Sequence, residues 1–331
     1  MGAQITKQKL VEVEETDLEQ KKQTEGTSFP GSNYQCPNRK EWMSTLPLET
    51  LKVRDLVWPG THDSASNRIG IPLISRPFAR CQKLSIYEQL VIGARVFDIR
   101  TQQDRKVCHG PLTSYMVDEV LNDVKKFFSE TTSEFVILEI RTEFQWNDPP
   151  NFDQWLVEQL GEYLIPQDES TFDKTFQELL PKRLFCVWKP NKSPAPSPGS
   201  PLWSSAYLKD NWIDTDLPFT KFNSNLSYLA QQAPNNTRNY FYRVENTATP
   251  QISGAPVVCV FPVTQRIRGY ARLFLTEVFK RGIADRLQIF VEDFVQEDFI
   301  DACVGITVAR YSPSLLAAAP ATVGSATQVS S

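Results

Sequence analysis

A chain of 331 residues, 41% hydrophobic and 22% charged, has ordinary globular composition and enough apolar material for a sizeable core, which excludes disorder of the whole chain. A net charge of −4 and an isoelectric point near 5.5 exclude a protein held to nucleic acid by a strongly basic surface, while leaving room for a local anion site. No stretch approaches the roughly 18 apolar residues of a membrane-spanning helix, and the opening residues lack an apolar signal core, so neither a span nor a visible secretory signal is expected.

In chain order, residues 1–41 are polar and charged, with Gly26, Pro30, Gly31 and Ser32 near their end, and are expected to form a flexible tether. The opening "MGAQIT" fits the pattern M-G-x-x-x-[ST], which predicts N-myristoylation of Gly2, with Thr6 in place. Lys7 and Lys9 are soon cancelled by Glu12, Glu14, Glu15, Asp17 and Glu19, so a single acyl chain would hold a bilayer weakly and reversibly. From Asp55 onward, short apolar runs alternate with amphipathic stretches, the pattern of repeated βα units. "DLVWPG", "ARVFDIR", "EFVILEIR", "RLFCVW", "YFYRVEN" and "LQIFVEDF" are the predicted strands, several of them apolar at nearly every position, as in a parallel sheet buried on both faces. Between them, Ser85 and Glu88 offer a capping box for a short helix that Gly93 stops. Val117, Val120, Leu121, Val124, Phe127 and Phe128 recur at three- and four-residue steps and predict a helix lying on the sheet. Further helices are predicted over 152–164, 172–180, 270–281 and 297–305. "KPNKSPAPSPGSP", from Lys189 to Pro201, has proline at five of thirteen positions and is an irregular loop. The expected architecture is one irregular TIM-type (β/α) barrel over 42–312, followed by a disordered tail over 313–331.

Predicted strands run into polar or ionisable groups: Thr61-His62-Asp63, Asp98-Ile99-Arg100, Glu139-Ile140-Arg141 and Glu292-Asp293. In a βα barrel the C-terminal strand ends share one face, so these distant residues should meet. The chain has only two histidines, and His109 follows Arg100 by nine residues, on what should be a loop of that face. Guanidinium for phosphoryl oxygens and imidazoles for proton transfer at both ends make this, by composition, a phosphate-ester site. The six scattered cysteines show no zinc-finger or C-x-x-C spacing and read as mostly buried, reduced thiols of a cytosolic setting; Cys108 beside His109 is not a protease dyad, which needs spatial adjacency.

"PGTHDS", "SIYEQLVIGARVFDIR", "CHGPL" followed by a helix, "FVILEIRTEF" and "LQIFVEDF" resemble the X domain of phosphatidylinositol-specific phospholipase C, of the single-domain bacterial and plant type, over about residues 42–310. The resemblance implies cleavage of the glycerol–phosphate bond of phosphatidylinositol, giving diacylglycerol and a cyclic inositol phosphate. It implies His62 as general base oriented by Asp293, and His109 as general acid partnered by Asp63. Calcium-requiring members place carboxylates where this chain has Arg100 and Arg141, which removes oxygen ligands and repels the ion. A metal-independent enzyme without cofactor is therefore expected, with Arg100 neutralising the transition state and Arg141 binding the head group. Asp98, Lys189 and Asp214 are weaker candidates for substrate contact, and Trp188, Trp212 or Phe219 for stacking on the sugar. The implied partners are membrane phosphatidylinositol lipids, with no nucleic acid and no protein partner inferred, and the implied location is cytoplasmic and peripherally membrane-associated. Two alternatives stay open: an inactive phosphoinositide-binding or regulatory protein, and a phosphodiesterase acting on another glycerophospholipid.

Overall fold

Runs of residues that are apolar at nearly every position are stable as strands only where both faces are covered, and each such run in this chain joins one sheet. The computed structural model describes residues 6–143, 145–251 and 259–317. Its strands are β1 (Trp58–Thr61), β2 (Val96–Thr101), β3 (Lys106–His109), β4 (Leu112–Met116), β5 (Val136–Thr142), β6 (Leu184–Lys189), β7 (Trp203–Ser204), β8 (Leu208–Asp210), β9 (Phe241–Asn246) and β10 (Ile289–Glu292). The helices are α1 (Lys7–Glu25), α2 (Ile86–Val91), α3 (Val117–Glu130), α4 (Phe152–Leu160), α5 (Phe176–Leu179), α6 (Pro218–Ala230), α7 (Val260–Arg268), α8 (Ala271–Lys280), α9 (Glu297–Tyr311) and α10 (Ser314–Ala317).

The strand path β7-β6-β5-β2-β1-β10-β9-β8 is parallel throughout, and the β3–β4 hairpin hangs antiparallel from the end of β2. The path begins and ends on β7 and β8, which a single 3₁₀ turn joins in sequence, so the sheet curls into a nearly closed barrel with its seam there. Inward positions alternate along each strand. At the N-terminal end, rings from non-neighbouring strands meet: Trp58 lies 6.3 Å from Phe185 and 6.2 Å from Phe241, and Phe185 lies 5.4 Å from Phe241. Two and four residues further along, the same alternation brings in Asp98 and Arg100, Glu139 and Arg141, and Arg243 and Glu245. The barrel is thus plugged by aromatic rings at one end and charged at the other. Gly60 of β1 permits the closure beside the site, because a Cβ there would stand 2.7 Å from the Val96 side chain and 2.8 Å from that of Val291.

The capping box forms as expected, Ser85 and Glu88 satisfying each other's backbone donors at the start of α2. The six apolar positions predicted for α3 are all buried.

The N-terminal segment departs from expectation. In place of a flexible tether over 1–41, the described part forms the nineteen-residue α1 and a packed loop. Only Val11, Glu14 and Leu18 of α1 are buried, so no wide apolar stripe marks it in sequence. Its anchor is instead a charge: Glu14 accepts hydrogen bonds from the backbone N–H groups of Phe219 and Thr220 at 3.0 Å and from the Thr220 hydroxyl at 2.6 Å. These are orphan donors of the first turn of α6, where a carboxylate is also favoured by the helix dipole. The loop that follows presses Gly31 against Gly305 of α9, backbone on backbone, and Arg39 forks onto Asp301 at 3.0 and 2.7 Å. The tail also begins in order: α10 packs Leu315 and Leu316 against the core, and residues 318–331 lie outside the described residues, as does Gly2.

Candidate active site

β1 delivers His62 and Asp63 to the mouth on a constrained turn. Asp63 takes a left-handed φ of 41°, unfavourable for an L-residue, and its N–H is held by Asp98 Oδ2 at 3.1 Å. The turn sends two consecutive side chains to different partners. Gln82 pins the same backbone, its amide donating to the carbonyls of His62 at 3.1 Å and Glu292 at 2.9 Å.

His62 Nδ1 lies 2.9 Å from Asp293 Oδ1, and the second Asp293 oxygen accepts from Thr264 of α7 at 3.0 Å. On the other edge of the ring, His62 Nε2 faces Arg100 Nη2 at 2.7 Å. A guanidinium only donates, so this geometry selects the tautomer with the proton on Nδ1, given to Asp293, and a lone pair on Nε2. His109 Nδ1 lies 2.9 Å from Asp63 Oδ2 and 2.7 Å from the Ala79 carbonyl. Burial works against charge on both members of this pair. Even so, mutual attraction, with Arg100 also acting on the carboxylate, holds Asp63 below its ordinary value and raises His109 above its own. One imidazole is therefore placed to accept a proton and the other to carry one.

Arg100 stands between the pairs, 3.3 Å from Asp98 Oδ2 and 3.9 Å from both Asp63 and Glu143. Although buried, these acids raise it, so it stays charged. Asp98, expected to meet substrate, lines the cavity and lies between Arg100 and Arg141, whose Nε is 3.5 Å from Oδ1. Burial is outweighed there by Arg141 and Arg100, which hold the carboxyl well below the usual range. Both guanidinium groups are thereby held toward the cavity by one carboxylate.

His62, His109, Asp98, Arg100, Arg141, Lys189 and Asp293 all line one cavity of about 850 Å³. Asp214 does not: it is exposed, bonded to Gln251, and the acid on the cavity wall is Asp210, the last residue of β8. With three residues, β8 is too short to register as a strand in sequence, and Asp214 rests on the resemblance alone. Arg243 and Glu245 also line the cavity and were missed, although the strand-end rule applied to "YFYRVEN" would have found them. Arg243 is a buried hub, contacting Glu139 across the barrel, Asp210 at 2.8 Å and Glu245 at 2.7 Å. Among the aromatic candidates, Trp188 is core and Phe219 sits under Glu14, whereas Trp212 stacks on His62 with ring centroids 5.2 Å apart and is 42% exposed.

The carboxylates that might cage a hard cation are committed to guanidinium groups: Glu139 to Arg243, Asp98 to Arg100 and Arg141. Mixed groupings close enough to hold an ion are His62–Cys81–Asp293 and Asp63–Cys81–His109.

This architecture and these motifs have counterparts. Residues 56–184 match the model of the phosphatidylinositol-specific phospholipase C X domain. A 1-phosphatidylinositol phosphodiesterase of Listeria monocytogenes is 34% identical over 130 residues, 37% of this chain and 41% of that protein. A PI-PLC X-box domain-containing protein of Dictyostelium discoideum is 33% identical over 107 residues, 28% of this chain and 15% of that one. The matched segment thus spans less than half the length of either relative. The barrel itself superposes on phosphatidylinositol-specific phospholipase C of L. monocytogenes with a TM-score of 0.65 at 20% identity, covering 81% of this chain and 98% of that structure. A Staphylococcus aureus phosphatidylinositol-specific phospholipase C variant gives 0.61 at 17% identity, covering 81% and 98%. Motif, order and barrel thus agree in likening this chain to the phosphatidylinositol-specific phospholipase C X domain, whose family model residues 56–184 match.

Proposed function

We propose that the protein is a metal-independent phosphatidylinositol-specific phospholipase C that releases diacylglycerol and a cyclic inositol phosphate. The observation that carries this is the pairing of each histidine with its own carboxylate on either side of one guanidinium. His62 Nε2 takes the proton of the inositol 2-hydroxyl as that oxygen attacks phosphorus, and Asp293 supports the imidazolium that forms. Arg100 offsets the charge growing on the phosphoryl oxygens. His109 gives its proton to the departing glycerol oxygen, for which the raised affinity conferred by Asp63 keeps it charged. Arg141, Lys189, Asp210 and Arg243 surround the space left for the head group. The test is turnover of phosphatidylinositol vesicles with chelator present: cyclic inositol phosphate supports the reading, and choline or ethanolamine products from other glycerophospholipids would replace it.

Action at a membrane surface is supported by the rim. Ile71, Leu73, Ile74 and Phe78 are 59%, 95%, 67% and 49% exposed on one loop, with Phe261 at 39%. Phe78 reaches the cavity, and Arg76, Arg80 and Lys83 stand among these side chains. Apolar side chains ringed by cations suit an anionic bilayer. No helix among the described residues is long and apolar enough to cross a membrane. Acylation at Gly2 is part of the same proposal: α1 starts with Lys7 bonded at 3.0 Å to Asp216, on the loop after β8, and therefore on the side of the barrel mouth. An acyl group would reach the bilayer that the rim faces, and two weak attachments hold better than one. Mass spectrometry of the protein expressed with an acyltransferase tests it.

A further inference from the structure

We propose that Asp63, Cys81 and His109 form an inhibitory site for a soft divalent cation of the zinc class on the acid side of the cavity. One carboxylate oxygen, the thiol sulfur and one imidazole nitrogen lie within 4.8 Å of one another. The Ala79 carbonyl, 2.7 Å from His109 Nδ1 and 3.7 Å from Cys81 Sγ, adds an oxygen to the group. Cys81 lines the cavity, is 2% exposed, and takes no part in the proton transfers derived above.

Asp63 gives the independent observation. It is 1% exposed; Oδ2 lies 2.9 Å from His109 Nδ1, but Oδ1 has no hydrogen-bond partner and its nearest cation, Arg100 Nε, stands 3.9 Å away. A buried carboxylate with acceptor positions unfilled, facing a thiol and an imidazole, suits a cation. Thiolate, imidazole and carboxylate are zinc's donors at about 2.0–2.3 Å, a fit reached by small side-chain movements, whereas calcium and magnesium take oxygens. The other grouping is disfavoured because Arg100 sits on its imidazole at 2.7 Å. On binding, a zinc–sulfur and a zinc–nitrogen bond replace the thiol S–H and an imidazole N–H, and the protons pass to solvent. His109 then loses Asp63 as its partner and cannot act as the acid. That inhibition rests on the function proposed above; the binding does not.

The experiment titrates the full chain with zinc against a competing chromophoric chelator, using the unaltered protein, Cys81→Ser, Cys81→Ala and His62→Ala. One zinc per chain is expected, weakened by about 100-fold or more in either Cys81 variant, since even supporting residues around a metal commonly contribute 10–100-fold. His62→Ala should leave binding intact, and millimolar calcium should not compete. Zinc should stop phosphatidylinositol turnover in the unaltered protein but not in Cys81→Ser, whose basal turnover should be normal. Equal zinc binding with and without Cys81, or its loss in His62→Ala, would overturn the site. Cys81-dependent binding in a protein without turnover would instead overturn the function and leave the site standing.

Discussion

Removing Arg100 asks the most of the proposed chemistry. Arg100 is 8% exposed and lies 2.7 Å from His62 Nε2, so in the proposed mechanism it serves both the phosphoryl oxygens and the base. Loss of a preorganised donor of this kind typically costs about 10²–10³ in kcat, or about 2.7–4 kcal/mol. Arg100→Ala should reach the upper part of that range, because Asp63, Asp98 and Glu143, within 3.9 Å, would then confront the phosphate uncompensated. Arg100→Lys should recover only part of the loss, keeping the charge but not the planar fork that spans base and phosphoryl oxygen. The assay is cyclic inositol phosphate release from vesicles in excess chelator, with circular dichroism melting alongside, since breaking a buried ion pair also destabilises the fold. A folded Arg100→Ala protein retaining activity within about threefold, well short of that expected loss, would refute the assignment. Arg100→Asp restores the carboxylate of calcium-using relatives, yet Arg141 beside it should keep added calcium from rescuing turnover.

His62→Ala and His109→Ala should each lower turnover by at least about 10²-fold, the ordinary scale of general acid–base groups, and near-normal activity in either would remove that residue from the mechanism. Asp63→Asn removes the attraction that raises His109, so the alkaline limb of the kcat/KM profile should move to lower pH; an unmoved limb would separate Asp63 from the acid. Gly2→Ala should shift the protein from membrane to soluble fractions with activity on dispersed substrate unchanged, and an unacylated native N-terminus would end that idea. Glu14→Ala strips the cap from α6 and should lower stability by about 1–3 kcal/mol in denaturant melts, whereas an unchanged midpoint would mean α1 adds nothing to the fold.

The barrel was legible because its strands are apolar throughout and its helices periodic, signals that survive without knowledge of partners. That the charged strand ends meet was legible for a related reason: charged residues that close an apolar run have few places to go except the mouth. What escaped was set by tertiary pairing. α1 carries an acid where an apolar residue would have announced a buried face, and Glu14 makes sense only once the start of α6 lies beside it. β8 has three residues and leaves no apolar run to read, so nothing in the sequence marks Asp210 as a strand end. Asp98 lines the cavity as its place near a strand end suggests, but which cations surround it depends on β5 lying next to β2.

The placement of α1 also bears on catalysis. Lys7 bonds to Asp216, and Asp216 reaches Arg266 of α7 at 3.5 Å, while Glu15 lies 3.7 Å from the same guanidinium. Two residues before Arg266 on α7, Thr264 holds the second oxygen of Asp293, and Asp293 orients the base. The segment nearest the proposed acyl group is therefore joined by a short series of polar contacts to His62. If a bilayer pulls on that segment, the first strain it transmits falls on α7, not on the barrel strands, which are fixed by ladders on both sides. Arg100 and Arg141 sit on those strands and keep their aim whatever α1 does. Any influence of membrane attachment should accordingly reach His62 through Thr264 and Asp293, read as a change in kcat on vesicles, while the aim of the two arginines stays constant.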